Sequence, residues 1–354
     1  MKTVTIAQIT DIHIGMQGED TNGIDVRANF LCVLKEVEQA GVDYIVVSGD
    51  LCFDIGIREI YEWVKSALDA VGIPYFVIPG NHDNPSMLAL VFGLEHLLQK
   101  EELFYQREIE EVGKLLFLDS TTGIVSAQQL TFLKESCQDP AIPNLLFVHH
   151  PPSLADITHM DNNYALKNIG EVQAAIGECA SKPHAIFCGH YHCGRTIVLP
   201  KLHTNVFITP SSAFFQLNPD AVGFEIKSER SAWRKIVWDG ESVKTSVCYV
   251  GNYAKNLELV RQYYKAWETG DKMLLPLAKN LKHISPDVVY HSRNTFLKAC
   301  WDKFSRHTWN HKMLAMGNRV SVLMKVPYPD NKVKLISEWF EIEGNEITKI
   351  QVIY

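Results

Sequence analysis

One local pattern recurs five times in this sequence: a short apolar run stops abruptly, and aspartate, asparagine or histidine follows it. The clearest case is Tyr-Ile-Val-Val-Ser at 44–48, which is followed by Gly49 and Asp50. Such a run, bounded by turn residues, predicts a buried strand. The carboxyl ends of parallel strands are the edge at which open α/β sheets build their sites. The pattern therefore predicts an α/β fold with polar residues gathered at one sheet edge.

Amphipathic stretches separate the early strands. Residues 29–40 and 57–71 carry apolar side chains at helical spacing. Alternating strands and helices predict a parallel sheet with right-handed crossovers. Further helices are expected at 86–99, 126–136 and 168–180, and further strands at 3–10, 74–79, 114–119, 145–148, 185–188, 206–210, 222–227 and 246–250. The segment 153–163 is expected to be a polar loop.

The pattern changes near residue 253. A strongly amphipathic stretch at 257–267 ends in Thr-Gly-Asp, which is typical helix-end chemistry. A second helix is expected at 294–304, and alternating strands fill 312–354. Helix first and strands later indicate a separate α+β domain. The predicted domains are 1–252 and 253–354.

Composition narrows the possible partners. A net charge of -7 argues against a nucleic acid polymer, because a phosphate backbone requires a basic surface. No apolar run is long enough to cross a bilayer, and the N-terminal residues lack a secretory signal pattern. Eight cysteines without framework spacing favour reduced thiols. We therefore expect a cytoplasmic protein without a membrane partner.

The strand ends supply carboxylate, amide and imidazole side chains. The candidate metal ligands are Asp11, His13, Asp50, Asn81, His149, His190 and His192. Each alone has an ordinary alternative, such as a helix cap, a turn residue or a core histidine. Their recurrence at successive strand ends favours a pair of divalent cations, iron, manganese or zinc, bridged by one carboxylate. Asp50 is the expected bridge, because its strand is expected to be central.

These residues form five motifs in a known order: DxH at 11–13, GD at 49–50, GNHD at 80–83, HxP at 149–151 and GHxH at 189–192. The sequence in this respect resembles the calcineurin-like metallophosphoesterases over about residues 1–250. The resemblance implies a four-layer fold with two β-sheets between layers of helices. Within the family, the sequence is most similar to class III cyclic nucleotide phosphodiesterases and glycerophosphodiesterases.

The resemblance also implies how the ligands divide. One cation is expected to bind Asp11, His13, Asp50 and His192. The other is expected to bind Asp50, Asn81, His149 and His190. In the HxP motif at 149–151, the ligand is the residue two positions before proline. His149 is therefore expected to bind the cation rather than His150.

The implied chemistry is in-line attack on a phosphoester by a hydroxide that bridges the cations. His82 is expected to stabilise the transition state or protonate the leaving oxygen, with Asp83 orienting its other nitrogen. In the alternative, His82 only supports Asn81. His159 and Asp161 are candidates for contacting a substrate hydroxyl, and a solvated loop is an equal alternative. Tyr75, Phe76, Phe214 and Phe215 are expected in the core rather than in a base-stacking platform.

Residues 257–271, 284–291 and 338–350 resemble SnoaL-like (nuclear-transport-factor-2-like) domains. That fold is a curved sheet and helices arranged as a cone, and it is commonly dimeric. The expected role is homodimerisation or partial cover of the metal site, without a second catalytic activity.

Three functional hypotheses follow. The first is hydrolysis of a small phosphodiester, of the cyclic nucleotide or glycerophosphodiester type. The second is hydrolysis of phosphomonoesters or of nucleotide pyrophosphate bonds. The third is a non-catalytic metal-binding scaffold, against which the complete ligand set and His82 argue.

Overall fold

The computed structural model describes residues 2–251, 253–308, 311–316, 318–327, 333–343 and 345–354. The chain forms two compact units, Met1–Val250 and Gly251–Tyr354. Among the described residues, no helix combines the length and the apolar character that a bilayer crossing requires.

The first unit is an α/β sandwich. Its strands are β1 (Val4–Ile9), β2 (Tyr44–Ser48), β3 (Tyr75–Ile78), β4 (Leu98–Gln99), β5 (Glu102–Leu103), β6 (Tyr105–Ile109), β7 (Gly113–Leu118), β8 (Asn144–Val148), β9 (Ala185–Cys188), β10 (Arg195–Leu199), β11 (Thr204–Ile208), β12 (Gln216–Leu217), β13 (Ile226–Ser228), β14 (Ala232–Trp238) and β15 (Val243–Tyr249). Its helices are α1 (Val26–Gln39), α2 (Arg58–Val71), α3 (Pro85–Phe92), α4 (Ala127–Ser136), α5 (Thr158–Asn163) and α6 (Ile169–Glu178).

Two mixed sheets form the centre of this unit, with strand orders β15-β14-β1-β2-β3 and β10-β11-β9-β8-β7-β6. The pairs among β1, β2 and β3 are parallel, and so are the pairs from β7 through β8 and β9 to β11. The other pairs are antiparallel: β15-β14 and β14-β1 in the first sheet, and β10-β11 and β7-β6 in the second. The prediction of a parallel sheet is therefore right for the strands that carry the motifs and wrong for strands β6, β10, β14 and β15.

Side-chain alternation divides the core between layers. In β7 and β8, Phe117 and Phe147 belong to the cluster that also contains side chains of β1, β2, α1 and α2. Their neighbours Leu116 and Leu146 face the opposite way, into a second cluster with α4 and α6. Because strand side chains alternate between faces, each sheet can pack against the other sheet and against helices. This arrangement confirms the four-layer sandwich.

Three predicted segments differ from the structure. The helix expected at 86–99 ends at Phe92, because Gly93 adopts a left-handed conformation with φ 70°. The loop at 153–163 contains the short helix α5. The strand expected at 222–227 begins only at Ile226, in the hairpin of β12 and β13.

The second unit has an α+β fold. Its elements are α7 (Tyr253–Thr269), β16 (Leu277–Ile284), β17 (Val289–Tyr290), α8 (Arg293–Phe304), β18 (His311–Met316), β19 (Arg319–Pro327), β20 (Val333–Glu343) and β21 (Glu346–Ile353). The six strands form one sheet of order β17-β16-β21-β20-β19-β18. Val260, Trp267 and Phe340 lie in its core, which joins α7 to the sheet. The predicted α+β class is confirmed, and β16 is a strand that the sequence pattern did not indicate.

Candidate metal centre

The candidate ligands lie on the loops that follow β1, β2 and β3 of one sheet and β8 and β9 of the other. Backbone bonds join these loops: the Asp11 N–H donates to the Gly49 carbonyl at 3.0 Å, and the Gly189 N–H donates to the His149 carbonyl at 3.0 Å. The His190 N–H donates to both Asp11 carboxylate oxygens, each at 3.0 Å, and so connects the two sheets. The carboxyl ends of both sheets thus meet at one place.

The backbone is unusual at this edge. Positive φ angles of 46° to 67° occur at Asp11, His13, Asp50, His190 and His192. Left-handed conformations are uncommon for residues other than glycine and cost free energy. Five of them at adjacent strand ends turn the chain sharply, so that these side chains point into a shared volume.

Two glycines of the motifs are required by close packing. A Cβ atom on Gly80 would lie 2.3 Å from Oδ1 of Asp50, and one on Gly189 would lie 2.5 Å from Oδ2 of Asp11. Each glycine therefore lets a carboxylate approach the neighbouring backbone, which any larger residue would prevent.

The side chains form two main groups whose ligand atoms lie within 4.8 Å of one another. The groups are Asp11 with His13 and His192, and Asp50 with His149 and His190. Within the first, Nε2 of His13 lies 3.0 Å from Nε2 of His192. Oδ2 of Asp50 lies 3.1 Å from Nε2 of His149 and 3.7 Å from Nε2 of His13. Asp50 thus lies between the groups, where a bridging carboxylate is needed.

Backbone carbonyls orient three of the imidazoles. Nδ1 of His149 lies 2.9 Å from the Ser48 carbonyl, and Nδ1 of His192 lies 3.0 Å from the Phe215 carbonyl. Nε2 of His190 lies 2.9 Å from the Tyr164 carbonyl. In a neutral imidazole, an N–H held by a carbonyl leaves the other ring nitrogen unprotonated, which is how metal-binding histidines are usually fixed. The donor set therefore fits divalent cations.

Burial controls the charges in this cluster. Burial lowers the pKa of His13 to about 3 and that of His190 to about 4, so both imidazoles are neutral at pH 7. Burial opposes charge on Asp50 as well, but the neighbouring His149 holds the pKa of this carboxyl well below its usual value. Conversely, the Asp50 carboxylate overcomes burial and raises the pKa of His149 to about 9. A cation binding at this group must displace a proton from His149.

The loop after β3 contributes Asn81 and His82. Asn81 is exposed, next to Gly80. The His82 N–H donates to Oδ1 of Asp50 at 3.0 Å, and Nδ1 of His82 lies 3.1 Å from the Asp54 carbonyl. The His82 ring meets the His13 ring edge-on at 4.9 Å. His82 therefore adjoins both ligand groups, and the ligand atoms of His13, Asp50 and His82 form a third group within 4.8 Å of one another.

Asp83 differs from the expectation that it orients His82. Its carboxylate accepts hydrogen bonds from the backbone N–H groups of Leu51, Cys52 and Gly80 and from the Tyr61 hydroxyl. The Asp83 carboxylate is buried, and these donors occupy both of its oxygens. Asp83 instead fastens the loops after β2 and β3 together, and the Asp54 carbonyl orients His82. No sequence pattern points to this carbonyl, because any residue type supplies one.

The entrance residues also have defined positions. Asp161 accepts hydrogen bonds from the N–H groups of Ala155 and Ile157 and from the Tyr191 hydroxyl, so its oxygens support the loop rather than a substrate. Phe214 and Phe215 are buried, as expected. His150 belongs to neither ligand group. Its Nδ1 lies 2.8 Å from the Ser120 hydroxyl oxygen.

Comparison with known proteins places this geometry in a family. Residues 4–194 match the family model of the calcineurin-like phosphoesterases. A probable cyclic nucleotide phosphodiesterase of Fibrobacter succinogenes is 35% identical over 248 residues, which are 70% of this chain and 94% of that protein. A probable glycerophosphodiester phosphodiesterase, GpdQ, of Arcobacter nitrofigilis is 27% identical and covers the same shares of the two chains.

Solved structures agree on the fold of the first unit. The purple acid phosphatase PPD1 from yellow lupin seeds is 12% identical to this chain, with a TM-score of 0.53. The match covers 70% of this chain and 52% of the phosphatase. An NTF2-like protein from Cytophaga hutchinsonii is 18% identical to this chain, with a TM-score of 0.24. That match covers 28% of this chain and 88% of the NTF2-like protein.

Proposed function

This chain belongs to the calcineurin-like phosphoesterase family, and from that premise we propose that it hydrolyses a small phosphodiester, a cyclic nucleotide or a glycerophosphodiester. The observation that carries the proposal is the position of Asp50 between two groups of ligand atoms. The similarity to proteins named as phosphodiesterases of these two kinds supports the substrate class.

Two divalent cations complete the proposed site. Asp11, His13, Asp50 and His192 would hold the first. Asp50, Asn81, His149 and His190 would hold the second. Such cations supply Lewis acidity and an activated water at neutral pH. The protein contributes oriented imidazoles and charged carboxylates in a buried cluster, where electrostatic interactions are stronger than in water.

His82 is the proposed proton donor to the leaving oxygen. Its Nδ1 lies 3.1 Å from the Asp54 carbonyl, so Nε2 is the ring nitrogen that would transfer a proton. Its backbone is fixed to Asp50, which keeps the ring beside the ligand groups. A positioned imidazole of this kind contributes about 10²–10⁴-fold to rate.

Hydrolysis assays test this function. The manganese-supplemented protein is incubated with cyclic AMP, bis-p-nitrophenyl phosphate and p-nitrophenyl phosphate. We expect turnover of the two diesters to exceed that of the monoester. Activity on the monoester alone would overturn the diester assignment, and no activity on any of the three would favour a non-catalytic scaffold.

The second unit presents a face for self-association. Large apolar side chains are exposed on one face of its sheet, at Leu314, Leu323, Leu335 and Trp339. The strand register places Ser321 beside both Leu314 and Trp339, and Leu323 lies two residues along β19 on the same face. Several large apolar side chains exposed on one face are typical of an interaction site. We propose that a second copy of the chain covers it.

Light scattering tests the dimer. The expected mass in solution is twice the chain mass of 40.1 kDa. Leu323→Lys, which places a charge on this face, is expected to give the monomer mass. A monomeric wild-type protein would contradict the proposal.

A further inference from the structure

A closed series of contacts leads from the metal centre to the surface and back. The His192 ring lies 5.0 Å from Phe215, and Phe215 meets Phe224 edge-on at 5.6 Å. His159 lies 5.8 Å from Phe224 and 5.6 Å from Tyr164. The Tyr164 carbonyl then contacts Nε2 of His190 at 2.9 Å. The series therefore begins and ends on two candidate ligands.

The outer members of this series are unusually exposed. Phe224 is 58% exposed and Tyr164 is 52% exposed, whereas Phe215 is 8% exposed. We call Tyr164, His159 and Phe224 the aromatic rim. Exposed rings that meet across two loops leave apolar faces for a further flat group.

Both sides of the aromatic rim are anchored at the metal centre. Phe224 lies in the hairpin of β12 and β13, and the Leu217 N–H at the start of this hairpin donates to the His192 carbonyl at 2.9 Å. Tyr164 follows α5, and its carbonyl is fixed at His190. The aromatic rim is thus connected to His192 by two successive ring contacts through Phe215, and to His190 by the Tyr164 carbonyl.

We propose that the aromatic rim stacks on the nucleobase of the substrate while its phosphate lies at the cations. This inference rests on the proposed phosphodiesterase function and deepens it, because it selects a cyclic nucleotide over a glycerophosphodiester. A glycerophosphodiester has no ring to cover these faces. Stacking uses the π-face that every base has, so the aromatic rim recognises a base without reading its hydrogen-bonding edge.

Calorimetry on the manganese-loaded full chain tests the proposal, with adenosine 5′-monophosphate and ribose 5-phosphate as probes. They share a sugar phosphate and differ by the base. Stacking is expected to make the wild-type protein bind adenosine monophosphate about tenfold or more tightly than ribose 5-phosphate. Tyr164→Ala combined with Phe224→Ala should abolish this preference and raise KM for cyclic AMP about tenfold, with kcat nearly unchanged.

Matched variants serve as controls. Tyr164→Phe retains the ring and should retain the preference. Val198→Ala truncates a side chain on β10 that is 63% exposed but belongs to no ring contact of the series, and it should also retain the preference.

The outcomes separate the two claims. Equal binding of both probes by a wild-type protein that hydrolyses bis-p-nitrophenyl phosphate would overturn the aromatic rim alone. An unchanged preference in the double variant would also overturn it, and a lower solution mass in that variant would then assign these rings to a protein contact. No hydrolysis of any diester by the wild-type protein would overturn the proposed function itself.

Discussion

The two units of this chain use their polar side chains in opposite ways. In the first unit, buried carboxylates and imidazoles converge at strand ends of both sheets, and five of these residues have positive φ angles. In the described residues of the second unit, buried polar side chains are few, at Asn256 and His283, and apolar side chains are exposed on the sheet instead. A folded domain tolerates a cluster of buried carboxylates and imidazoles only if these groups are paired or bind ions. The contrast supports the proposed catalysis by the first unit and the proposed association through the second.

The largest expected effect comes from the residue between the ligand groups. Asp50→Asn removes the charge that both proposed cations share, and metal ions contribute several kcal/mol of transition-state stabilisation. We expect kcat/KM to fall on the order of a thousandfold or more, with loss of bound manganese. Asp69→Asn, which changes an exposed carboxylate on α2, is the control and should have no effect on kcat/KM. Retained activity in Asp50→Asn would remove the basis for a bridged site.

His82 tests whether proton transfer can be separated from metal binding. His82→Ala should retain both cations while kcat falls about 10²–10⁴-fold, because the ring would no longer protonate the leaving oxygen. His96→Ala, at an exposed histidine in the turn after α3, is the matched control. Metal content by mass spectrometry and kcat on cyclic AMP are the measurements. Full activity, or loss of a cation, would contradict the assigned role.

The pH dependence of metal binding tests the charge of His149. Asp50 raises the pKa of this imidazole to about 9 in the metal-free chain, so a cation must compete with a proton below that pH. Affinity for the second cation should therefore rise about tenfold per pH unit from pH 7 towards pH 9 and then level off. Calorimetric titrations with manganese at several pH values measure it. An affinity that does not change over this range would show that His149 is neutral without metal.

The smallest effect is expected in the second unit. Glu338 accepts a hydrogen bond from the Tyr264 hydroxyl at 2.5 Å, and burial raises its pKa to about 7 despite this bond. The folded chain then keeps a proton that the unfolded chain releases above about pH 4.5, so stability falls as pH rises towards 7. Glu338→Gln should remove this dependence of stability on pH and leave kcat unchanged. Hydrogen exchange measures it: the amides of β20 should exchange more slowly in the variant at pH 7. A loss of phosphodiesterase activity would contradict the separation of roles.

The sequence predicted those parts of the fold that depend on local pattern. The β2 strand and the turn at Gly49 and Asp50 were predictable, because a short apolar run that ends in turn residues is typical of a buried strand. Strand β14 was not, because Arg234 and Lys235 interrupt its apolar pattern while pairing with β1 and β15 stabilises it.

The candidate site shows the same division. The ligand-type residues were identified from their positions after strands. The correction at Asp83 concerns hydrogen bonds to the backbone of another loop, which no side-chain pattern encodes. The aromatic rim likewise depends on two loops meeting: Tyr164 and Phe224 are 60 positions apart in the sequence, and their exposure is a property of the folded chain.

Anomalous scattering from manganese-soaked crystals tests the central claim most directly, because it locates each cation relative to the Asp50 carboxylate. The account predicts two peaks, one on each side of Asp50, the first beside His13 and His192 and the second beside His149 and His190. A single peak, or peaks away from these side chains, would contradict it.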